Sequence, residues 1–496
     1  MLMTIMSTPA IPWTAQMRGM LARLQRLPWL QRLQSLAEKR RVQLFVVGGT
    51  LRDLCLGHAV QDVDLALSSD VMGLARAFAH ELGAAYVPMD PERGEVRVVY
   101  RKRHIVDFSR LKGGDIAQDL GRRDFTMNAL ACPLAIFLTS PAPRFIDPYG
   151  GWRDIQTHVV RMVSPRSFVD DPLRVLRAFR FAACLEWTVD ATTLETMRPA
   201  IPQLADIAAE RLHHELLRLF AAPRSSPYVT AMAHLGLLDV LFPELAATRH
   251  IASAPGVPET LFEQAVRAYH SVEDLIAAPA SCAPAIADAI GAYVHTGERQ
   301  GLLKWAALLH NIGTPAPDAG QARQPPPAMG YAERAARLWE RIGAHFKLSR
   351  ARADYVGLLL THYHRPFELA ALDAHGQLAL RMVYRWCKDL GEDVLGAFVL
   401  AMGVALANGH AATPAPDALT LGRLAARLWE LYRTRILPVI GAPRLVTGDD
   451  LQALFGLPPG PRFKTLLEDI ELARVEGRIH TRADALQWLE QRLRQG

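Results

Sequence analysis

Hydrophobic and polar positions follow two different periodicities along this chain. In the first third, short apolar runs with alternating polar residues are separated by turn-forming residues, a pattern typical of β-strands. Between these runs, apolar residues recur every three or four positions, which predicts helices. The predicted strands are 43–47, 62–67, 95–100 and 104–109, and the predicted helices are 14–41, a short one after Gly48 and Gly49, and about 70–82.

The alternating pattern almost disappears after about residue 165, and the rest of the chain has helical spacing. Pro-rich loops interrupt the helices at 251–258, 279–284 and 314–330. The last of these is the best candidate for a flexible loop. The sequence therefore predicts an α+β protein, in which a head with a small mixed sheet is followed by a long all-α remainder.

Composition and charge narrow the function only slightly. The 496 residues suggest two to four domains, and 56 basic against 50 acidic residues give a net charge of +6. This surplus permits an acidic partner such as nucleic acid without requiring one. The five cysteines form no CxxC pair, which argues against a disulfide framework or a zinc site. Without a basic leader or 18 uncharged apolar residues in a row, we expect a soluble, cytoplasmic protein with no membrane partner.

Two aspartates, Asp62 and Asp64, stand at the start of the second predicted strand. Side chains alternate across a strand, so both carboxylates point to the same face, where they repel unless a cation lies between them. Mg²⁺ suits such a pair and takes phosphate oxygens and water as further ligands. Asp107, on a neighbouring predicted strand, is a candidate third carboxylate. The alternative is a strand end whose aspartates simply face solvent.

The residues before the carboxylate pair favour the metal-binding interpretation over a solvent-facing strand end. The strand–Gly48–Gly49–helix unit can present backbone N–H groups to a phosphate, and Arg52 can add a charge-assisted contact. A metal-binding pair beside a phosphate-binding turn is what nucleotidyl transfer requires. Farther along, Arg122, Arg123 and Asp124 form either part of this site or a capping and surface pair at a helix start.

A second candidate site lies on the predicted helix 170–183. Its residues Asp171, Arg174, Arg177 and Arg180 recur every three positions, with apolar residues between them. Cytosine and adenine both carry an amino group beside a ring-nitrogen acceptor, so a carboxylate and an arginine together can select them. The remaining arginines would then contact phosphates. The alternative is a solvated charge stripe, with Asp171 capping the helix just before Pro172.

Six stretches in order resemble the class II tRNA nucleotidyltransferase and bacterial poly(A) polymerase family. GGTLRDLCLG with QDVDL resembles the first motif, DLGRRDFTMNALA the second, and IDPYGGWRDI the turn after it. DDPLRVLRAFRFAA resembles the nucleotide-reading helix, and ERLHHELLRLF and GLLDVLFPEL resemble later helical motifs. One departure is that the reading helix opens with Asp170–Asp171 where the family usually has Glu-Asp. The resemblance covers about residues 45–245.

The resemblance implies template-independent addition of C and/or A to the 3′ end of tRNA from CTP and ATP, with Mg²⁺. It implies that Asp62 and Asp64 hold the metal and that Asp171 and Arg174 read the base. It also implies four domains: a helical extension 1–40, a catalytic head 41–165, a recognition and neck domain 166–235, and a body and tail 236–496. The residues implied to contact the incoming nucleotide are Gly49, Arg52, Arg123, Arg177 and Arg180.

The C-terminal half contains KWAALLHNIG, which looks like an HD-type phosphohydrolase segment. Here Asn311 follows His310 where such segments have an aspartate, and an amide is a weaker metal ligand than a carboxylate. His270 and THYHRP (361–366) are where further ligands would be sought in this HD-like region, about 260–370. We therefore expect a degenerate domain that is retained for packing or RNA binding rather than a working hydrolase.

The sequence is compatible with several functions. Within the family, the enzyme adds all of CCA, adds only CC or only the terminal A, or makes poly(A) tails. Outside it, the chain is an RNA-binding protein without activity, or a phosphohydrolase that acts through His310. Basic patches such as Arg474, Arg478 and Arg482 could contact RNA phosphates, or could be ordinary solvated helix faces.

Overall fold

The computed structural model describes residues 11–254, 257–315, 328–408 and 416–494. The first ten residues and most of the Pro-rich segment 314–330 lie outside the described residues. The chain divides into two compact units, Met1–Leu216 with Leu235–Leu237, and Leu217–His234 with Leu238–Gly496. The four domains expected from the sequence, with the bounds given above, stay predictions.

Unit 1 is built around a mixed sheet of six strands in the order β3-β4-β5-β2-β1-β6. Strands β2 and β5 pair in parallel, and the other neighbours are antiparallel. A second, two-stranded parallel sheet joins β7 and β8. The strands are β1 Leu44–Val47, β2 Asp62–Leu67, β3 Ala85–Asp90, β4 Glu95–Tyr100, β5 His104–Arg110, β6 Ala131–Pro133, β7 Val159–Val160 and β8 Thr188–Val189.

Helices make up most of the remaining described chain. The first fourteen are α1 Ala15–Gln25, α2 Pro28–Lys39, α3 Gly49–Leu56, α4 Val71–Leu82, α5 Ile116–Gly121, α6 Leu134–Thr139, α7 Gly151–Gln156, α8 Arg166–Asp170, α9 Leu173–Leu185, α10 Ala191–Met197, α11 Ala209–Ala221, α12 Ser226–His234, α13 Leu237–Leu241 and α14 Pro243–Ala246. The others are α15 Leu261–Ala277, α16 Ala287–Val294, α17 Arg299–Leu309, α18 Ala328–His345, α19 Arg350–His362, α20 Arg365–Ala374, α21 Leu380–Leu390, α22 Val394–Ala407, α23 Ala418–Leu431, α24 Leu437–Gly441, α25 Gly448–Phe455, α26 Pro461–Val475 and α27 Arg482–Arg494.

The core of unit 1 lies on both faces of the sheet. Strand β1 is buried throughout. On one face, the Phe78 ring of α4 packs edge-on against Phe108 of β5, with ring centroids 5.9 Å apart. Trp29 of α2 packs on the same Phe78. A further cluster of apolar residues, which includes Phe45, Ala66 and Leu120, joins the sheet to α5. This packing holds the start of β2 and the start of α3 in fixed positions.

The α+β class and the small mixed sheet are confirmed, and all four strands predicted from alternation are present. Strand β3 was not predicted, because it lies at the sheet edge with mostly exposed residues and contains Pro88. Strand β6 has only three residues, which is too short for a periodic signal. Strands β7 and β8, with two residues each, were missed for the same reason. The four missed strands therefore lack the alternating pattern from which the others were found.

Unit 2 is helical throughout its described part. Helix α22 is buried along almost its whole length, and a Cβ added at Gly403 would lie 2.3 Å from Val272 Cγ2 of α15, so these helices pack closely. One run of described helix, Leu380–Ala407, meets the length and hydropathy expected of a membrane span. Because 72% of its most apolar window is buried inside the protein, the run is explained by core packing.

Candidate active site

Asp62 and Asp64 begin strand β2 and lie on the same face of the sheet. Val63 between them is 4% exposed and faces the core, whereas both aspartates are partly exposed. The Thr50 hydroxyl accepts a hydrogen bond from the Asp64 backbone N–H at 2.7 Å and donates one to the Asp62 carbonyl at 3.2 Å. The first turn of α3 is therefore attached directly to the residues that carry the two carboxylates.

The two glycines before α3 allow this close approach. Gly48 has φ 62° and ψ −128°, a backbone conformation that favours glycine. A Cβ added to it would lie 2.9 Å from Arg123 Nη1, and one added to Gly49 would lie 3.1 Å from Asp64 Oδ2. The N-terminus of α3 therefore lies beside a carboxylate and an arginine, and helix N-termini of this kind bind phosphate groups.

Asp64 carries a negative charge that its surroundings compensate only in part. Burial, and then the neighbouring Asp107 carboxylate, raise the pKa of Asp64 to about 6. Arg123 and Arg52 act in the opposite direction, but they do not cancel the first two effects. A cation close to the Asp64 carboxylate would lower its pKa again, so this position favours cation binding.

Asp107 lies beside Asp64, as expected, but its charge is already matched. The two residues are in register on the parallel strands β2 and β5. On the other side, Arg97 donates from Nε and Nη2 to the two carboxylate oxygens of Asp107, each at 2.8 Å. Arg97 would therefore compete with a metal ion for the Asp107 oxygens.

The residues present fit a divalent cation such as Mg²⁺. Two carboxylates on one face, one of them with a raised pKa, supply the oxygen ligands that hard cations prefer. Within the described ranges, no group of three or more His, Cys, Asp or Glu side chains could hold a metal ion. The protein thus offers an incomplete set of ligands, and substrate oxygens and water would supply the remainder.

Arg52 and Arg123 stand beside the carboxylates, and partners on the protein hold each of them. Arg52, with a side chain only 12% exposed, donates to Asn128 Oδ1 at 2.7 Å and to Asp53 Oδ1 at 2.9 Å. Arg123 donates from Nε and Nη2 to one oxygen of Asp119, at 3.1 and 3.0 Å. Both guanidinium groups are therefore oriented before any ligand binds.

Arg122, Arg123 and Asp124 do not begin a helix, so the alternative interpretation of these residues as helix-start capping is wrong. Helix α5 ends at Gly121, and the three residues follow it. Asp124 is buried and accepts hydrogen bonds from Asn128 at 3.0 Å and from Arg177 at 2.7 Å. Burial alone would raise the pKa of Asp124, but Arg177 and Asn128 together hold it well below its usual range.

The candidate recognition helix α9 begins at Leu173, and its apolar residues face the core as predicted. Its arginines are not a solvated stripe. Arg177 bridges Asp124 and Glu215, and Arg180 donates to the other oxygen of Glu215 at 2.8 Å. The Arg180 side chain is 9% exposed. Arg177 is more open, and Arg180 is the least accessible of the residues expected to contact a nucleotide.

The side chains of Asp171 and Arg174 are both held in place by other residues. Arg211 of α11 donates to Asp171 Oδ2 at 2.7 Å. Arg174 donates to the backbone carbonyls of Arg122, Arg123 and Ser167 at 2.8 to 3.3 Å. An arginine has five N–H donors, so these three bonds leave donors for a base edge.

Sequence reasoning missed Asn128 and Glu215, which connect the two sites. Asn128 accepts from Arg52 and donates to Asp124, so one amide joins the metal-site arginine to the recognition helix. Asn128 and Asp124 stand in the second motif, four positions apart, which is a usable signal. Glu215 lies 38 positions from Arg177, and no local spacing could have linked them.

In the HD-like region of unit 2, the side chains of His310 and Asn311 are buried and hydrogen-bonded within the fold. The His310 ring is buried, with Nδ1 2.8 Å from the Ala307 carbonyl and an edge-on contact to Tyr363. Asn311 donates to the Leu261 carbonyl and to Gln264 Oε1. Burial lowers the pKa of His310 to about 4, so the imidazole is neutral. His270, on α15, instead lies near Asp274. These contacts favour a packing role.

Several arginines on the surface of unit 2 are paired with carboxylates. Arg352 pairs with Glu298, Arg478 with Glu476, and Arg482 with Asp450. Their contribution to RNA binding stays a prediction.

Two protein-family models match the chain. "Poly A polymerase head domain" matches residues 44–161, and "Probable RNA and SrmB- binding site of polymerase A" matches residues 187–248.

Curated relatives and a solved structure extend the match over most of the chain. A CC-adding tRNA nucleotidyltransferase of Geobacter sulfurreducens is 32% identical over 92% of this chain and 94% of its own. An A-adding tRNA nucleotidyltransferase of Deinococcus radiodurans is 31% identical over 90% and 95%. A multifunctional CCA protein of Pseudomonas aeruginosa is 31% identical over 66% and 77%. The solved Thermotoga maritima CCA-adding enzyme complexed with tRNA shares the fold, with a TM-score of 0.63 at 18% identity over 96% and 98%.

Proposed function

The chain belongs to the tRNA nucleotidyltransferase family, and we propose that it adds C, A or both to the 3′ end of tRNA from CTP and ATP, with release of pyrophosphate. The observation that carries the proposal is the carboxylate pair of Asp62 and Asp64 against the N-terminus of α3, with Asp64 at a raised pKa. The names of the relatives supply the substrate class. We place the protein in the cytoplasm, where tRNA is processed.

In this proposal Asp62 and Asp64 hold a divalent metal ion, most suitably Mg²⁺. When bound, such an ion would neutralise triphosphate charge and favour ionisation of the attacking 3′-hydroxyl. The remaining contributions come from groups on the chain. The backbone N–H groups at Gly49 and the Arg52 and Arg123 guanidinium groups bind phosphate oxygens, and because protein partners already orient them, little reorganisation accompanies binding.

Base selection is assigned to Asp171 and Arg174. The Asp171 carboxylate would accept from the amino group of cytosine or adenine, and Arg174 would donate to the adjacent ring nitrogen. Uracil and guanine present a carbonyl instead, which would leave the carboxylate without a donor. Arg211 and three backbone carbonyls fix the two readers. Arg177 would reach the nucleotide directly, whereas the buried Arg180 is better suited to supporting Glu215.

The test is an extension assay with purified protein and Mg²⁺. Three tRNAs that lack CCA, lack CA or lack only A are each given CTP, ATP or both, and the products are sized. Growth of the first tRNA by three residues with both nucleotides identifies a complete CCA enzyme, and long A tails identify a poly(A) polymerase. If none of the tRNAs is extended, the proposal is wrong and the RNA-binding and hydrolase alternatives gain weight.

A second candidate, partial addition, is favoured by one specific observation. Two relatives that match 90% or more of this chain are a CC-adding and an A-adding enzyme, whereas the multifunctional CCA protein of Pseudomonas aeruginosa matches 66%. In the same assay, a CC-adding enzyme extends the first tRNA by C residues only and leaves the third unchanged. An A-adding enzyme extends only the third.

A further inference from the structure

The Phe181 ring on α9 is surrounded by three guanidinium groups. The side-chain carbon of the Arg180 guanidinium lies 3.5 Å from the ring centroid, that of Arg52 5.1 Å and that of Arg177 5.3 Å. Phe125 packs edge-on against the same ring, with centroids 5.7 Å apart. Phe181 itself is 5% exposed. Among the ring–guanidinium contacts of the described residues, those of Phe181 involve both the arginine of α3 and two arginines of α9.

This arrangement concentrates like charges in a site with little solvent. The side chains of Arg52 and Arg180 are 12% and 9% exposed. Asp124 and Glu215 pair with the α9 arginines, while Arg52 contacts Asn128, which is neutral, and Asp53. The face of an aromatic ring carries negative charge density that attracts guanidinium groups, most strongly where water is excluded. An aliphatic side chain would fill the same volume without that attraction.

We infer that Phe181 is a positioning residue for nucleotide binding, whose ring orients Arg52 beside the carboxylate pair and joins it to the arginines of α9. The inference rests on the proposed function, in which Arg52 and Arg177 bind the nucleotide. Among the described residues, the ring contacts of Phe181 involve arginines assigned to the phosphates and neither Asp171 nor Arg174. Its loss therefore weakens CTP and ATP binding to a similar extent and leaves base selection unchanged.

The test replaces Phe181 with 4-fluoro-, 3,5-difluoro- and 3,4,5-trifluorophenylalanine in the full-length protein. Fluorine withdraws charge from the ring face while it nearly preserves the ring's shape, so folding and packing stay close to those of the parent protein. The Kd of CTP and of ATP with Mg²⁺ is measured by calorimetry, and KM and kcat are measured in the extension assay. We expect log Kd to rise steadily along the series, to about three- to tenfold weaker binding for the trifluoro variant.

Phe179 provides the matched control. It lies on the same helix and is 1% exposed, and no guanidinium is stacked on it among the described residues. The same fluorine series at Phe179 leaves Kd unchanged. A flat series at Phe181, or an equal trend at both positions, overturns the inference. If the parent protein binds CTP or ATP but extends no tRNA, the proposed function fails while the Kd series still decides the inference. A parent protein that binds neither CTP nor ATP contradicts both.

Discussion

Unit 1, called the head below, and unit 2, called the body, each contain a cluster of polar side chains that could do chemistry. The charges of the two clusters are balanced differently. In the body, the hydrogen bonds of His310 and Asn311 are made within the fold, and the buried imidazole is neutral. In the head, Asp64 stands next to a second carboxylate and its pKa is raised to about 6. The first cluster is stable as it stands, whereas the second would be stabilised by a cation.

The difference shows how to separate a functional cluster from a structural one. A polar group that is satisfied inside the fold adds stability and has little left to offer a ligand. A charged group that is destabilised by burial or by a neighbouring like charge lowers the stability of the fold, and such groups are common at functional sites. By this criterion we propose the Asp62 and Asp64 pair as the working site and assign the HD-like residues to packing.

The largest expected effect is the loss of extension when the head carboxylates are neutralised. Replacing both residues, Asp62→Asn with Asp64→Asn, should lower the rate of tRNA extension by about a thousandfold or more, because the metal ligands are removed. Binding of tRNA should change little. His310→Ala is the control from the body and should keep the rate within about twofold, since its ring contacts only the fold. Extension by the double variant would refute the metal assignment.

The next effect concerns the buried ion pair that supports the recognition helix. Asp124→Asn should destabilise unit 1 by about 2–3 kcal/mol at pH 7, because it leaves the Arg177 guanidinium without its main partner. The folded-state pKa of Asp124 lies below its ordinary value, so its contribution is complete above about pH 4 and is lost as the pH falls below that value.

Hydrogen exchange of the α9 amides measures this loss in both proteins across the pH range. The difference between variant and parent should shrink as the pH falls below about 4. A difference that is absent at pH 7, or that stays constant down to pH 2, would contradict the ion-pair account.

These two clusters also show what the sequence could reveal. Strand alternation and the GG turn predicted that Asp62 and Asp64 share a face beside Gly49 and Arg52, because local spacing encodes which face a side chain occupies. Their roles stay predictions. The pairing of Arg177 with Asp124 and Glu215 depends on chain segments 38 to 53 positions apart, which periodicity does not encode. For the same reason, the match between Asp107 and Arg97 across two strands became visible only in the structure.

A smaller effect is expected from restoring the aspartate of the HD-like motif. Asn311→Asp should destabilise unit 2 by about 1–2 kcal/mol, because the new carboxylate would face the Leu261 carbonyl and the Gln264 side-chain oxygen. Asn311→Ala loses the same bonds without adding a charge and should cost less. Neither variant should hydrolyse phosphate esters with added metal. Phosphatase activity in the aspartate variant would show that the body site is only one residue from function.

The most direct measurement combines stability and activity for Asp64→Asn in metal-free buffer. Because the folded-state pKa of Asp64 is raised to about 6, the ionised carboxylate destabilises the fold above pH 6 and has no effect below about pH 4. We predict that the variant gains about 1 kcal/mol in the free energy of unfolding at pH 7.5 and gains nothing at pH 4. With Mg²⁺ added, the variant should not extend tRNA. A variant that is less stable at pH 7.5, or that still extends tRNA, would contradict the view that this charge is kept for catalysis.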